Sequence, residues 1–488
     1  MSLRIAWVSS ELTPFAKTGG LGDVSAALAS FLHRDGHDIR VFLPLYATLR
    51  GIERSQLRPV GFVHQVPIPV GDTELAFSLY STPLPGTDLP IYLIHCPALY
   101  DRDGFYCQDG DEDLRFAYLT QAALVACQHM GFAPHVLHTN DWHTALAPVY
   151  LRTRFAWDRL FHSTRTVHTI HNLGYQGVFS AEVLDRIGLA ERAALFHQED
   201  LAAGRVNFLK TGLLHADVLT TVSPTYAAEI QTPEHGVGLD PLLRARRERL
   251  VGILNGIDTA EWSPDTDRYL PATYSAADLS GKAACRDELL RSFALTRPDP
   301  GVPVVGLVSR LTSQKGIDLL MEVLPRFLAT ERLSLVVVGT GERRYEDFFH
   351  RLQASFRDRM CFYRGYSEEA AHLVEAGADI FLMPSLYEPC GLNQMYSLRY
   401  GTVPIVRKTG GLADTVELYD PRDDSGTGFV FEHYTTTGLA WALDAALGLF
   451  RDDPAAWHRL MQRGMARDDS WDRRGRLYVE LYERLAGR

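Results

Sequence analysis

Short apolar runs alternate with apolar residues at helical spacing along the whole chain, and the pattern begins twice. In the first half, a strand at 4–8 leads through a glycine-containing loop into a helix. Its apolar positions Leu21, Val24, Leu28, Phe31 and Leu32 recur at three- and four-residue steps. A strand at 39–43 follows. In the second half, a strand at 304–308, a loop at 309–316, a helix at 317–328 and a strand at 333–338 repeat the same order. Between them, strands at 136–138, 166–170 and 218–222 alternate with helices at 114–129 and 144–152, so the first sheet is expected to run to about Val222. Such alternation produces parallel sheets covered by helices. The expected fold class is therefore α/β, with two Rossmann-like domains. A short strand at 251–254 precedes a polar, turn-rich stretch at 264–283, which places the boundary near residue 251. The expected division puts a first domain at 1–251 and starts a second at 252.

A chain of 488 residues exceeds what one hydrophobic core usually serves, in agreement with two domains. Hydrophobic residues at 46% and charged residues at 22% are ordinary for a soluble globular protein. The formal charge of −11 repels polyanions at long range and argues against a nucleic-acid partner. Any anionic ligand then needs a local cluster of cations. Cys96, Cys107, Cys127, Cys285, Cys361 and Cys390 are scattered, with neither a C-x-x-C pair nor zinc-ligand spacing, which suits a reducing compartment. Apolar runs are too short to cross a bilayer, and a strand at the very start leaves no room for a signal peptide. The expectation is a cytoplasmic protein without a membrane partner.

Three segments carry candidate chemistry. Lys17-Thr18-Gly19-Gly20-Leu21-Gly22 joins the first strand to the first helix, where backbone N–H groups can approach an anion. It matches neither the P-loop nor the G-x-G-x-x-G spacing, which disfavours kinases and simple dehydrogenases. Arg310 and Lys315 lie on the loop after the first strand of the second half, at the edge where open parallel sheets bind ligands. A guanidinium grips phosphate bidentately and an ammonium adds a point charge. The third segment, from Ser385 to Tyr396, follows a strand at 379–383 and includes Glu388, Pro389, Cys390 and Gly391. A carboxylate beside a phosphate site is repelled by it, so Glu388 is expected to accept a hydrogen bond from a sugar hydroxyl.

Together with Thr409-Gly410-Gly411-Leu412-Ala413-Asp414-Thr415-Val416, these segments resemble the bacterial glycogen synthase and plant starch synthase family of retaining glucosyltransferases. The resemblance runs from Trp7 to about Trp471. It implies a GT-B fold, two Rossmann-like domains at 1–251 and 252–468 facing a central cleft, with a C-terminal helix at 469–488 returning to the first domain. It also implies ADP-glucose as donor substrate, an α-1,4-glucan such as glycogen as acceptor, and no cofactor or metal. Arg310 and Lys315 are then expected on the diphosphate, assisted by Lys17 and by the backbone at Gly20 and at Cys390, Gly391, Leu392 and Asn393. Glu388 is expected on the glucose 3-hydroxyl, His171 and Asn255 on the 6-hydroxyl side, and Tyr366 on the base. Glu11, Asp23, Asp141, Trp142 and His143 are expected along the acceptor side.

The pattern has departures. Many family members have Thr where Asn393 stands, and the loop 101–108 follows the family only loosely. The D-x-D patterns at Asp101–Asp103, Asp109–Asp111, Asp111–Asp113 and Asp265–Asp267 crowd acidic loops and read as solvated charge rather than metal ligands. His37, His129 and His215 end apolar helical stretches and read as capping or surface residues. Nothing in glucosyl transfer needs the Cys390 thiolate. Two alternatives stay open: a GT-B glucosyltransferase with a small acceptor, and a catalytically silent glucan-binding protein.

Overall fold

The computed structural model describes residues 2–71, 73–107, 109–299 and 301–487. Gln108, the last residue of the divergent loop 101–108, lies outside the described residues. The chain divides into two compact units. Unit 1 comprises Met1–Val222, Ala227–Gly256 and Trp471–Arg488; unit 2 comprises Ser223–Tyr226 and Ile257–Ser470.

In unit 1 the strands are β1 (Arg4–Val8), β2 (Asp38–Pro44), β3 (Arg58–Pro59), β4 (Val66–Val70), β5 (Thr73–Pro83), β6 (Pro90–His95), β7 (Val136–Asn140), β8 (Arg165–Ile170), β9 (Val178–Ser180), β10 (Arg205–Asn207), β11 (Val218–Thr221) and β12 (Leu250–Gly252). The main sheet runs β12-β11-β8-β7-β1-β2-β6-β5-β3, with β4 paired to β5. From β12 to β6 every pairing is parallel, and β5 joins β6 antiparallel. The short strand expected at the domain joint is thus the edge strand of this sheet. The helix Gly20–Arg34 buries Leu21, Val24, Leu28, Phe31 and Leu32, the residues its spacing singles out. The single helix expected at 144–152 is instead two, Asp141–Thr144 and Ala147–Arg152. Pro148 lacks the N–H that a continuous helix would donate to the Thr144 carbonyl.

The last helix, Trp471–Leu485, packs on Gly20–Arg34 and buries Trp471, Tyr478, Leu481 and Tyr482. The Tyr482 hydroxyl lies 2.5 Å from His138 Nδ1, and His138 Nε2 lies 2.6 Å from the Thr169 hydroxyl. That hydroxyl meets Thr220 at 2.5 Å, so one buried polar chain crosses β7, β8 and β11. Burial holds His138 well below the usual imidazole range and keeps it neutral.

Unit 2 has one parallel sheet of β13 (Val304–Val308), β14 (Ser334–Gly339), β15 (Met360–Arg364), β16 (Ile380–Met383), β17 (Val403–Arg407) and β18 (Phe429–Phe431), in the order β15-β14-β13-β16-β17-β18. Every residue of β13, β14 and β16 is buried, as expected of strands covered on both faces. Helices Ile317–Thr330, Arg343–Ser355 and Thr436–Asp452 contribute Leu320, Leu324, Phe349, Leu352, Leu439 and Leu443 to the core. Between β13 and β16 the order in which strands are added to the sheet reverses, and the loops at the carboxyl ends there form a ligand-binding edge in such folds.

Two glycine substitutions separate packing from propensity. A Cβ on Gly475 would lie 2.3 Å from the Phe31 ring, whereas one on Gly448 would meet nothing within 4 Å. Gly475→Ala is expected to destabilise unit 1 by about 1–3 kcal/mol through overpacking. Gly448→Ala, inside Thr436–Asp452, is expected to stabilise its helix by about 1 kcal/mol. Thermal denaturation of both variants checks the opposite signs.

Candidate active site

In unit 1 the candidate residues gather after the carboxyl ends of β1, β7, β8 and β12. Glu11, buried three residues after β1, accepts the N–H groups of Thr18 at 2.6 Å and Gly19 at 3.2 Å. It also accepts the hydroxyls of Thr18 at 2.6 Å and Tyr106 at 2.7 Å. Two N–H groups of the glycine loop are therefore already occupied by a carboxylate of the protein itself. Gly20, the first residue of the helix, follows them. Lys17 pairs with Asp23 at 2.9 Å, and Asp23 accepts the Thr13 hydroxyl at 2.9 Å. Glu11 and Asp23 thus hold the loop in shape.

Asp141 leaves β7 with φ 52°, a left-handed conformation that aspartate tolerates better than most residues. Its carboxylate accepts the N–H groups of His171 at 2.7 Å and Asn172 at 3.4 Å, tying the ends of β7 and β8 together. Burial pushes the Asp141 carboxyl up to about 7, against these two donors and with a smaller contribution from the Glu11 charge. His171 Nε2 lies 2.9 Å from Asn140 Oδ1, while Asn140 Nδ2 donates to the Val8 carbonyl at 3.0 Å. The Asn140 orientation makes Nε2 the protonated nitrogen and leaves Nδ1 with a lone pair. Burial first, then His168, brings His171 down to about 3, so the ring is neutral.

Trp142 and His143 are buried in an aromatic cluster. Their rings are 4.1 Å apart, and His143 stacks on Tyr106 at 4.8 Å. Burial lowers His143 to about 3. Asn255, three residues after β12, is also buried, and its Oδ1 has no hydrogen-bond partner among the described residues.

In unit 2, Lys315 Nζ meets Glu388 Oε2 at 2.6 Å. The Ser385 hydroxyl donates to the same oxygen at 3.0 Å. In sequence these residues are separated by three helix-strand units, and the fold brings them together. The ends of β13 and β16 are pressed together: Gly316, with φ 72°, would place a Cβ 2.0 Å from the Pro384 carbonyl oxygen. The Leu386 N–H donates to the Gln314 carbonyl at 2.8 Å across the same seam. Gly410 would place a Cβ 1.9 Å from the Glu388 carbonyl oxygen, so the loop after β17 rests directly on the Glu388 backbone. Arg310 is exposed, and among the described residues its guanidinium makes no hydrogen bond or ion pair.

Gly391 has φ 73°, and the helix Asn393–Arg399 starts two residues later, after Leu392. The Asn393 amide donates to the Val308 carbonyl at 2.8 Å, so it is committed to the end of β13. Cys390 is buried and its carbonyl accepts from Gln394 at 3.1 Å. Tyr366, after β15, is 57% exposed and donates its hydroxyl to Glu368. Asn140 and Ser385, which orient His171 and Glu388, were not singled out by the sequence; adjacency to Asp141 and to the Glu388 turn is the only signal they carry there.

Asp141 gives stability a defined pH slope. Its folded carboxyl binds a proton more tightly than an ordinary aspartate near 3.8, so its contribution is intact below about pH 4 and is lost as pH rises to about 7. Asp141→Asn keeps an acceptor for both N–H groups and removes the ionisation. The melting temperature of the variant relative to the wild type is expected to rise by several degrees from about pH 5 to about pH 8. Parallel melting curves across that range would refute the buried-carboxyl assignment.

Residues 4–245 match the starch synthase catalytic domain family, and residues 292–452 match the glycosyl transferases group 1 family. The chain is 47% identical to a glycogen synthase of Anaeromyxobacter sp. (strain Fw109-5), covering 99% of this chain and 100% of that protein. It is also 47% identical to a glycogen synthase of Myxococcus xanthus, over 99% of each. The catalytic domain of starch synthase IV from Arabidopsis thaliana, bound to ADP and acarbose, aligns over 100% of both chains with a TM-score of 0.92 and 33% identity. Sucrose-phosphate synthase from Thermosynechococcus elongatus shares the fold, with a TM-score of 0.61 at 18% identity over 99% of each chain. The carboxyl-edge constellations and these similarities agree: the chain belongs to the glycogen synthase and starch synthase family of GT-B retaining glucosyltransferases.

Proposed function

We propose that this enzyme transfers glucose from ADP-glucose to the non-reducing end of an α-1,4-glucan, with retention of anomeric configuration. The observation that carries the reading is the Lys315–Glu388 pair at 2.6 Å on the carboxyl edge of the second sheet, beside the uncommitted Arg310. A nucleoside diphosphate leaves readily once its charge is compensated. At ~4 Å and an effective dielectric of ~20 each cation supplies ~4 kcal/mol before desolvation. Arg310 and Lys315 take the diphosphate, with the backbone at Gly20 and from Cys390 to Asn393 assisting. No divalent ion is needed for that step.

Glu388, already hydrogen-bonded by Ser385, accepts the glucose 3-hydroxyl. On the 6-hydroxyl side, His171 offers a neutral Nδ1 and Asn255 its buried, unpartnered Oδ1, two acceptors suited to a sugar hydroxyl. Tyr366 presents an exposed ring to the base. Lys17 stays with the donor, while Glu11, Asp23, Asp141, Trp142 and His143 support the acceptor side, the first two by shaping the glycine loop. Donor binding belongs mainly to 252–468, acceptor binding mainly to 1–251, and the segment 469–488 completes the first domain. The acarbose and ADP in the starch synthase IV structure support this pairing of substrates. A cytoplasmic location is part of the reading, and the six free thiols suit it. Among the described residues, no helix is long and apolar enough to cross a membrane.

The small-acceptor alternative has only fold-level support in the sucrose-phosphate synthase likeness. The silent-scaffold alternative leaves the uncommitted Arg310 without a task.

With glycogen as acceptor and EDTA present, labelled glucose is expected to enter polymer with a higher kcat/KM from ADP-glucose than from UDP-glucose. Donor turnover without polymer labelling would favour a small acceptor, and loss of all activity in EDTA would overturn the charge assignment. Lys315→Ala and Glu388→Gln are each expected to lower kcat by about 10²-fold or more. Near wild-type turnover in either folded variant, verified by circular dichroism, would remove that residue from the reaction.

A further inference from the structure

A second cluster of ligating groups lies in unit 2, away from Lys315 and Glu388 in the sequence and unused by the reaction. Glu368 and His372 are the first and fifth residues of the helix Glu368–Gly377, a spacing that places them on one face. Glu261 approaches from the turn before Trp262. One ligand atom from each of the three lies within 4.8 Å of the others.

His372 supplies an independent observation. Its side chain is 0% exposed, and Nδ1 lies 2.7 Å from Asp267 Oδ2. Asp267 also accepts the Tyr400 hydroxyl at 2.6 Å and the Tyr269 N–H at 2.9 Å, so it acts as an acceptor throughout and Nδ1 carries the proton. The remaining nitrogen, Nε2, then has a lone pair and is buried without a hydrogen-bond partner. Trp262 stacks on the ring at 3.7 Å and 15°, fixing its plane. A carboxylate that sets the tautomer, a clamped imidazole and an unused lone pair are the arrangement of a histidine metal ligand.

We propose that Glu261, Glu368 and His372 bind one divalent transition-metal ion of borderline softness, with Zn²⁺ as the reference, and that Asp267 orients the histidine. One imidazole and two carboxylates suit Zn²⁺ with water in the fourth position, whereas Mg²⁺ prefers an all-oxygen octahedron. Tetrahedral Zn²⁺ ligands sit about 3.3 Å apart. The exposed Glu261 and half-buried Glu368 side chains rotate inward to reach that spacing, while His372 stays fixed. The ion also screens two carboxylates from each other. Binding takes Glu368 into the metal shell and competes with the hydrogen bond it accepts from Tyr366.

The test is calorimetric titration of the chelator-treated, full-length protein with ZnCl₂, and with CoCl₂ followed by visible absorption. One saturable site per chain is expected, with a Co²⁺ band of four- or five-coordinate intensity. Glu368→Gln and Glu261→Gln are each expected to weaken Zn²⁺ binding by about 10-fold or more. His372→Gln is expected to abolish the Co²⁺ band. Because His372 is buried and that variant can fail to fold, the two glutamate variants decide the matter. Absence of saturable binding, or binding unchanged in both glutamate variants, overturns the proposal.

Discussion

Close contact of backbone with backbone governs the second unit. Where β13, β16 and β17 end, carbonyl oxygens press against glycines so tightly that a Cβ on Gly316, Gly410 or Gly411 would lie within 2.2 Å of the oxygen of Pro384, Glu388 or Cys390. Three loops are thereby stacked without side chains between them. The stacking brings the ammonium of Lys315 to the carboxylate of Glu388, although 73 residues separate them in the chain. A methyl group at any of these glycines would push the loops apart by more than a hydrogen bond can stretch.

The two units handle charge differently. Unit 2 presents cations at its sheet edge, one engaged with a carboxylate and one uncommitted. Unit 1 ties its charged groups down in the glycine loop, Lys17 to Asp23 and Glu11 to the Thr18 and Gly19 N–H groups, and keeps its imidazoles neutral, because burial holds His171, His168 and His143 at about 3 and raises the Asp141 carboxyl to about 7. Neutral donors and acceptors read hydroxyl patterns without strongly attracting ions, and cations hold phosphates. The sequence composition, with its overall negative charge, conceals this local contrast.

The regular elements were legible wherever apolar periodicity was strong. β1 and β13 lie where the sequence reading put them, and the first helix buries the five residues its spacing identifies. Pro148 split a helix that periodicity joined. The antiparallel extension from β3 to β5 is not legible in the pattern, because Pro67 and Pro69 interrupt β4 and its pairing is confined to β5. Within the site, residue types were legible but their partners were not. That Glu11 consumes two loop N–H groups depends on how the loop turns back on itself, that Asn393 is committed to Val308 depends on a contact between residues distant in sequence, and that Asn255 keeps an unpartnered oxygen depends on its burial. His37, read as a capping or surface residue, is buried, and its Nδ1 accepts the Leu3 N–H at 3.1 Å.

The helix Trp471–Leu485 has a consequence for biosynthesis. It belongs to the unit that the ribosome begins first, and its Tyr482 closes a polar chain through the centre of that unit's sheet. The N-terminal half therefore emerges with His138 and the groove around Phe31 uncovered, and it waits in that state while more than two hundred further residues are made. The intervening unit has all of its strands in hand earlier and can complete its core first. Order of synthesis and order of completion are thus inverted, and the nascent first half carries uncovered apolar surface while the second unit is made.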